Sequence, residues 1–216
     1  RRCYGFFHPR LDGEPLIFVE VALMDSIADS ITPLLDEAGA PTDPSRATTA
    51  IFYSISNTQT GLKGVSFGDS LIKHVVETLK AEFPRLKTFA TLSPIPGLRQ
   101  WMAKHAPAEL LAALDDPLAL PPKSGHRAQL LAWAARYLGQ ELENGKPCDP
   151  VARFHLGNGA RVERLNWAAD PSPKGLKQSF GLMVNYLYDP KRLDKHRAQL
   201  AQGQIPISGA IEDLYG

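Results

Sequence analysis

The sequence predicts an α/β (α+β) protein: a mixed, central β-sheet flanked by helices and interrupted by a helical insertion. Three observations lead there. Leu16-Ile17-Phe18-Val19-Glu20-Val21-Ala22-Leu23 and Ala50-Ile51-Phe52-Tyr53-Ser54-Ile55-Ser56 are nearly continuous apolar runs of strand length, as expected of strands covered on both faces. Between the second run and a third, Thr88-Phe89-Ala90-Thr91-Leu92, the residues Leu71, Ile72, Val75, Val76, Leu79 and Phe83 fall on one helical face. This strand, helix, strand order predicts a parallel pair joined by a crossover helix. From Gly97 to Leu142 the pattern is helical, and strand-like patterning returns only beyond Pro150.

Taken in order, the chain opens on Arg1-Arg2 without a methionine, so a preceding N-terminal portion is expected. The segment from Asp25 to Glu37 is weakly helical, and the proline-rich stretch Pro41 to Ser45 is a loop. The helix that begins near Phe67 runs for about four turns and ends before Pro84. The run Thr88 to Leu92 is stopped by Ser93-Pro94-Ile95-Pro96-Gly97, because each proline lacks an N–H for the ladder and restricts the residue before it. Ser93 is thereby presented at a strand end, a common place for chemistry in mixed sheets; a turn serine capping the next helix fits the same local pattern. Ser124 reads as an N-cap, with Leu131, Ala134, Ala135, Leu138 and Leu142 as the apolar stripe behind it. After the turn Gly157-Asn158-Gly159, Ala160 to Leu165 alternates and Phe180 to Tyr188 forms a longer apolar strand. A last helix spans about Arg192 to Gln202, followed by an irregular tail.

Composition narrows the function classes. With 216 residues, 44% hydrophobic and 22% charged, the chain can bury a substantial core. A formal charge of +1 carries no bulk electrostatic footprint for nucleic acid. No apolar stretch reaches the roughly 18–20 residues a bilayer span needs, and no signal peptide is apparent. Cys3 and Cys148 form no C-x-x-C pair, which argues against a disulfide framework or a thiolate metal site and fits a reducing compartment. The expected protein is soluble and cytoplasmic; the end Asp213-Leu214-Tyr215-Gly216 is not a peroxisomal tripeptide.

Two segments carry chemistry. Thr58 to Gly68 holds three glycines just ahead of a helix N-terminus, where unpaired backbone N–H groups and the helix dipole favour an anion. It lacks the Gly-Lys-Ser/Thr of a P-loop and the G-x-G-x-x-G dinucleotide spacing, and a simple tight turn explains its glycines as well. Lys63-x-x-Ser66-x-Gly68 is similar to the Q/R-x-x-G-x-G/A signature of the Gcn5-related acetyltransferase (GNAT) superfamily, with Lys63 at the Gln/Arg position and Ser66 at the first glycine. His8, His74, His105, His126 and His196 lie on expected helix surfaces or in loops without partner motifs. No H-E-x-x-H or H-x-H spacing marks a zinc site. His155 differs: it follows Asp149-Pro150, is flanked by Phe154 and Leu156, and precedes a glycine turn. On local context a satisfied core histidine explains it too.

Across most of its length the chain resembles the malonyl-CoA decarboxylase family. The resemblance is carried by Phe52-Tyr53-Ser54-Ile55-Ser56, Leu71-Ile72-Lys73, Leu92-Ser93-Pro94-Ile95-Pro96-Gly97, Asp149-Pro150-Val151-Ala152, Phe154-His155-Leu156, Asn158-Gly159-Ala160, Asn166-Trp167-x-Ala169-Asp170 and Gly181-Leu182-Met183-Val184-Asn185-Tyr186-x-Tyr188. It implies a single GNAT-like catalytic domain over residues 1–216, with the helical insertion at about 97–145, and a preceding helical domain that this chain lacks. It also implies Ser93 and His155 as the catalytic pair. Lys63, Gly64, Val65, Ser66, Phe67, Gly68 and Asp69 align with the segment that holds malonyl-CoA, and Tyr188 with a tyrosine near the site; as plain residues, Tyr188 is equally a strand-end aromatic.

The activity this resemblance implies is loss of CO₂ from malonyl-CoA through a thioester enolate, giving acetyl-CoA. The thioester is its own electron sink, so no metal or organic cofactor is expected, coenzyme A being part of the substrate. His155 is suited to hydrogen-bond the thioester oxygen or to donate a proton, and Ser93 to engage the carboxylate or relay a proton. Ser93 is not expected to be a covalent nucleophile, since the G-x-S-x-G elbow is missing. Glu20, alone in an apolar strand, is either a buried base or a carboxylate at a solvated edge. The alternatives are an acyl-CoA-dependent acyltransferase of the GNAT type and a non-catalytic acyl-CoA-binding module. Family members form homo-oligomers, and neither nucleic acid nor membrane is an expected partner.

Overall fold

Strand residues of alternating orientation divide the interior in two. Phe52 and Phe89 pack on one face of the sheet with Ile72, Val75, Val76 and Leu79, whereas their neighbours Ile51 and Ala90 join Ala28, Leu34, Leu92 and Met183 on the other. The computed structural model describes residues 1–11, 13–36, 38, 43–58 and 68–215.

The chain starts with an antiparallel meander, β1 (Arg2–Phe7), β2 (Pro15–Met24) and β3 (Thr49–Asn57), with the short helix α1 (Thr32–Leu35) between β2 and β3. Helix α2 (Gly68–Glu82) crosses to β4 (Thr88–Thr91), which runs parallel to β3. After a break at Leu92 comes β5 (Ser93–Pro94). The insertion consists of α3 (Leu98–His105), α4 (Ala108–Ala113) and α5 (Gly125–Gly139), closed by a hairpin of β6 (Leu142–Glu143) and β7 (Lys146–Pro147). Then come α6 (Pro150–Gly157), β8 (Arg161–Asn166), α7 (Pro173–Ser179), β9 (Met183–Leu187), α8 (Leu193–Ala201) and α9 (Gly209–Glu212). Among the described residues the main sheet has seven strands, with β9 between β8 on one side and β4 and β5 on the other. The sheet is mixed, as expected, and β3–β4 is its parallel pair; the other described pairings within it are antiparallel.

Several elements depart from the sequence expectations for identifiable reasons. The prolines do not end strand pairing at Ser93: Ser93 and Pro94 pair with Val184 and Met183 of β9. With a strand partner on one side only, β5 is where a sheet tolerates proline. The stretch after Pro150 is helical, because Asp149 accepts from the N–H groups of Val151 and Ala152 and Pro150 occupies the first turn, where its missing N–H costs nothing. Ser172 starts α7 in the same way, so Phe180 is a left-handed helix cap (φ 57°) and the strand begins only at Met183. β1 is masked in the sequence by its mostly exposed residues. In β2, Val19 and Val21 are buried but Phe18 and Glu20 are partly exposed, so this strand is covered mainly on one face. Ser124 does cap α5, accepting from Arg127 N–H at 3.1 Å, although the buried stripe uses Leu130 and Tyr137 beside Ala134, Ala135 and Leu138.

The feature that positions the site is the parting of β3 from β4. Their ladder runs from Thr49↔Thr88 to Phe52↔Thr91, and Leu92 N–H still reaches Phe52 O at 3.0 Å. Beyond that point β3 continues beside β2 to Asn57, while Ser93 turns to β9. Right-handed crossover topology puts the start of α2 at this same end of the sheet. No helix among the described residues is long and apolar enough to cross a membrane.

At the far end of α6, Gly159 has φ +84°, and a Cβ there would lie 2.7 Å from Leu193 O and 2.9 Å from Leu193 Cα. Both the backbone conformation and the close approach of α8 require glycine. Gly159→Ala should therefore destabilise the fold by about 2 kcal/mol or more, seen as a lower urea midpoint; an unchanged midpoint would contradict this packing.

Candidate active site

Where β3 and β5 separate, a cleft of about 300 Å³ opens, lined by Phe52, Tyr53, Ser54 and Ile55 on the β3 side, Leu92, Ser93 and Pro94 opposite, and Pro150, Val151, Phe154 and His155 of α6. Ser93 and His155, 62 residues apart in sequence, meet here: Ser93 Oγ lies 3.2 Å from His155 Nε2. Their relative exposures are 5% and 4%, so the pair sits at the foot of the cleft, shielded from bulk water. His155 Nδ1 is 2.7 Å from the hydroxyl of Tyr188, which is buried just past the end of β9. Tyr186 of β9 stacks on the imidazole with ring centroids 4.7 Å apart, and Phe154 meets it edge-on.

This enclosure decides protonation. With no carboxylate among its causes, burial pushes the His155 pKa from 6.5 down to about 3, so the ring is neutral at physiological pH. Burial also raises the Tyr188 pKa, keeping its hydroxyl protonated. A neutral imidazole carries one proton. Ser93 Oγ faces the ring at Nε2 and the Tyr188 hydroxyl faces it at Nδ1; a proton on Nε2 goes with donation to Ser93 and acceptance from Tyr188. Ser93 in turn donates to Thr91 Oγ1 at 2.9 Å.

Of the other candidate residues in the sequence, Gly68 and Asp69 open α2, while Lys63, Gly64, Val65, Ser66 and Phe67 lie outside the described residues. A second cleft, of about 550 Å³, lies between α2, the end of α6 and α8; Tyr188, Lys73, Lys80, Glu77, Asp194 and Arg197 are among its lining. His196 is not a surface residue: it is buried, with Nδ1 2.9 Å from Gly159 O, and ties α8 to the turn after α6. Glu20 lies on the partly exposed face of β2, paired with Ser54, and is not itself among the cleft's lining residues. Cys3 and Cys148 are free thiols, and among the described residues no three His, Cys, Asp or Glu side chains form a metal-binding group.

Sequence reasoning misses three residues that build the site: Thr91, Tyr186 and Asp149. Thr91 looks like an ordinary strand threonine, and Tyr186 like one apolar position of a buried strand. Asp149 alone leaves a legible signal: an acidic residue immediately before proline is a helix start.

The Malonyl-CoA decarboxylase C-terminal domain matches residues 1–215. The chain belongs to the malonyl-CoA decarboxylase family. It is 40% identical to the mitochondrial malonyl-CoA decarboxylase of Mus musculus, over 87% of this chain and 45% of that protein. The crystal structure of malonyl-CoA decarboxylase from Agrobacterium vitis superposes with a TM-score of 0.92 at 48% identity, covering 100% of this chain and 57% of that one. The chain thus spans about half the length of the malonyl-CoA decarboxylases it matches. The loading GNATL domain of CurA from Lyngbya majuscula has a TM-score of 0.53 at 18% identity, over 84% of this chain and 74% of that one. That likeness establishes the GNAT-like fold, as the malonyl-CoA decarboxylase resemblance implied.

The buried neutral ring has a consequence for stability. Unfolded, His155 takes up a proton near pH 6.5; folded, it resists protonation until about pH 3. The folded state binds fewer protons throughout that window, so stability falls as pH falls through it, by about 2 kcal/mol between pH 6.5 and 5. His196, also lowered by burial, acts in the same direction, whereas Asp149, whose pKa is raised, acts oppositely. Urea midpoints should drop from pH 7 to pH 5, and His155→Gln should remove most of that slope; a wild-type midpoint that stays level would contradict a buried neutral imidazole.

Proposed function

We propose that this chain decarboxylates malonyl-CoA to acetyl-CoA and CO₂ through a thioester enolate, with Ser93 and His155 as its catalytic residues. The observation that carries the reading is the Ser93 Oγ–His155 Nε2 pair at 3.2 Å, at the foot of the cleft where β3 leaves β4. Family membership supports the substrate and the reaction. Losing CO₂ moves an electron pair into the thioester carbonyl, so the barrier falls only if negative charge on that oxygen is better held in the transition state than in the ground state. A neutral Nε2–H in a dry pocket is suited to this, because it donates a hydrogen bond without bringing in a compensating charge.

The substrate carboxylate leaves as neutral CO₂, and the α-carbon must then take up one proton, drawn in the end from solvent. The Ser93 hydroxyl, beside the same oxygen position, relays it. The thioester stores the electron pair itself, so the reaction asks for no metal or organic cofactor. Gly68 and Asp69 at the start of α2, together with Lys63, Gly64, Val65, Ser66 and Phe67, are proposed to hold the coenzyme A diphosphate, in keeping with the anion preference of a helix N-terminus. Lys73 and Lys80 in the neighbouring cleft support an anionic tail on that side. Tyr188 is proposed to fix the imidazole. Residues 1–216 form the catalytic domain in this reading, assembly is as a homo-oligomer, and the two free thiols support a reducing, cytoplasmic setting.

Removing one donor to a developing oxyanion typically costs ~3 kcal/mol, or about 10²–10³ in turnover. Ser93→Ala and His155→Ala should each lose at least that much CO₂ release from malonyl-CoA, with acetyl-CoA binding largely retained. Near-normal turnover in either variant would refute the assignment. Transfer of acetyl groups from acetyl-CoA to amines, without CO₂ release from malonyl-CoA, would replace the reading with an acyltransferase.

A further inference from the structure

Val184 and Tyr186 of β9, with Tyr188 just beyond it, point to one face of the sheet at the two-residue period of a strand, and their neighbours Met183 and Leu187 to the other. Each of the three meets the Ser93–His155 pair in its own way. Val184 pairs with Ser93 through the backbone, Tyr188 reaches His155 Nδ1 through its hydroxyl, and Tyr186 lies nearly parallel to the imidazole, with ring centroids 4.7 Å and planes 26° apart.

Tyr186 is wholly buried, and among the described residues its hydroxyl has no hydrogen-bond partner. A buried hydroxyl left unpaired costs free energy and holds nothing in place. What Tyr186 brings to the site is therefore its ring, and that ring is firmly mounted: the Tyr186 N–H donates to Thr91 Oγ1 at 3.1 Å, and its backbone lies opposite Val162 of β8.

Hydrogen bonds at Nε2 and Nδ1 leave the imidazole one soft motion. Both tolerate a tilt of the ring about the line joining the two nitrogens, because hydrogen-bond strength changes little until the angle departs by about 30° from linear. A parallel surface at contact distance blocks that tilt. The Phe154 and Tyr188 rings approach the imidazole at 81° and 73° and offer no such surface, so of the three rings against His155 only Tyr186 supplies it.

We propose that Tyr186 is a positioning residue for the decarboxylation: its ring, and not its hydroxyl, holds the His155 imidazole at the tilt that aims Nε2 at Ser93 Oγ and at the substrate position beside it. The inference rests on the decarboxylase reading for its effect on turnover, but the ring contact itself can be measured without substrate.

The test is the nuclear Overhauser spectrum of protein labelled at histidine and tyrosine, with the two rings identified by the signals lost in His155→Gln and in Tyr186→Phe, alongside steady-state CO₂ release from malonyl-CoA. Wild type should show a cross-peak between the ring protons of His155 and Tyr186. Tyr186→Leu, which keeps apolar bulk but has no flat face, should lower kcat by about tenfold to 10²-fold with KM changed by no more than about threefold, as expected when a reacting group loses its alignment and substrate binding does not suffer. Tyr186→Phe, which keeps the ring, should restore kcat. Absence of the cross-peak in wild type overturns the proposal even if Tyr186→Leu does not fold. So does a folded Tyr186→Leu with wild-type kcat or with its loss confined to KM, or a Tyr186→Phe as impaired in kcat as the leucine variant. Absence of CO₂ release by the wild type would instead sink the decarboxylase reading, with the cross-peak of the resting protein left to judge the ring contact.

Discussion

A single buried carboxylate holds the two halves of the site in register. Asp149 is wholly inaccessible; one oxygen caps α6 through the N–H groups of Val151 and Ala152, and the other accepts from Gly97 N–H at 3.2 Å. Gly97 ends the segment that begins with Ser93, and α6 carries His155 two turns along. The carboxylate thus joins the strand-end serine to the helix of the histidine, over a sequence gap that contains the entire helical insertion. Burial raises the Asp149 pKa, and the three N–H groups pull the other way. A side chain at position 97 would collide with the Tyr137 hydroxyl, so glycine is what lets the start of α3 lie this close to α5.

Around this joint the protein places a polar chain in an apolar interior. Such chains are costly when partly satisfied and rigid when complete. Here Tyr188, His155, Ser93 and Thr91 form one hydrogen-bonded chain, and the backbone of Thr91 is anchored separately by Asn185. Asn185 also accepts from Asn166 Nδ2 at 2.8 Å and donates to Ala28 O at 3.0 Å, and Arg164 reaches Ile27 O and Ala28 O from β8. This second network pins the β2–α1 connection against β8 and β9 and thereby stiffens the sheet directly behind the serine. The stacked Tyr186 ring and the edge of Phe154 confine the imidazole plane. Desolvation that would be a liability for a charged group is an advantage for a neutral hydrogen-bond donor, which is strengthened by the low local dielectric.

Legibility in the sequence tracks the range of the interactions involved. The strands at Leu16 to Leu23 and Ala50 to Ser56, the crossover helix ending before Pro84 and the Ser124 cap are all readable, because each is set by period, by proline or by a cap within a few residues. The helix carrying His155 reads as part of a strand-rich region even though Asp149-Pro150 announces it, since the short apolar run around His155 masks the capping signal. α7 is hidden for a similar reason: Ser172-Pro173 starts it, but Gly175 and Gly181 make the segment look like a turn. Gly175 is there because a Cβ would run into the backbone and carboxylate of Asp170, five residues earlier, where the loop folds back on the helix. His196 looks like a surface residue because its buried partner, Gly159 O, is contributed by a distant turn.

The sequence by itself determined the order of elements, the exposure of a serine at a break in a strand, and, through its run of family motifs, which serine and which histidine belong together. Only the tertiary structure decided that they touch and that the imidazole is buried and neutral. The reason is physical. Periodicity and caps act over one or two turns of chain, whereas desolvation, hydrogen-bond direction and the parting of β3 from β4 arise only when Thr91, Ser93, His155, Tyr186 and Tyr188, from three separate stretches, are packed into one volume from which water is excluded.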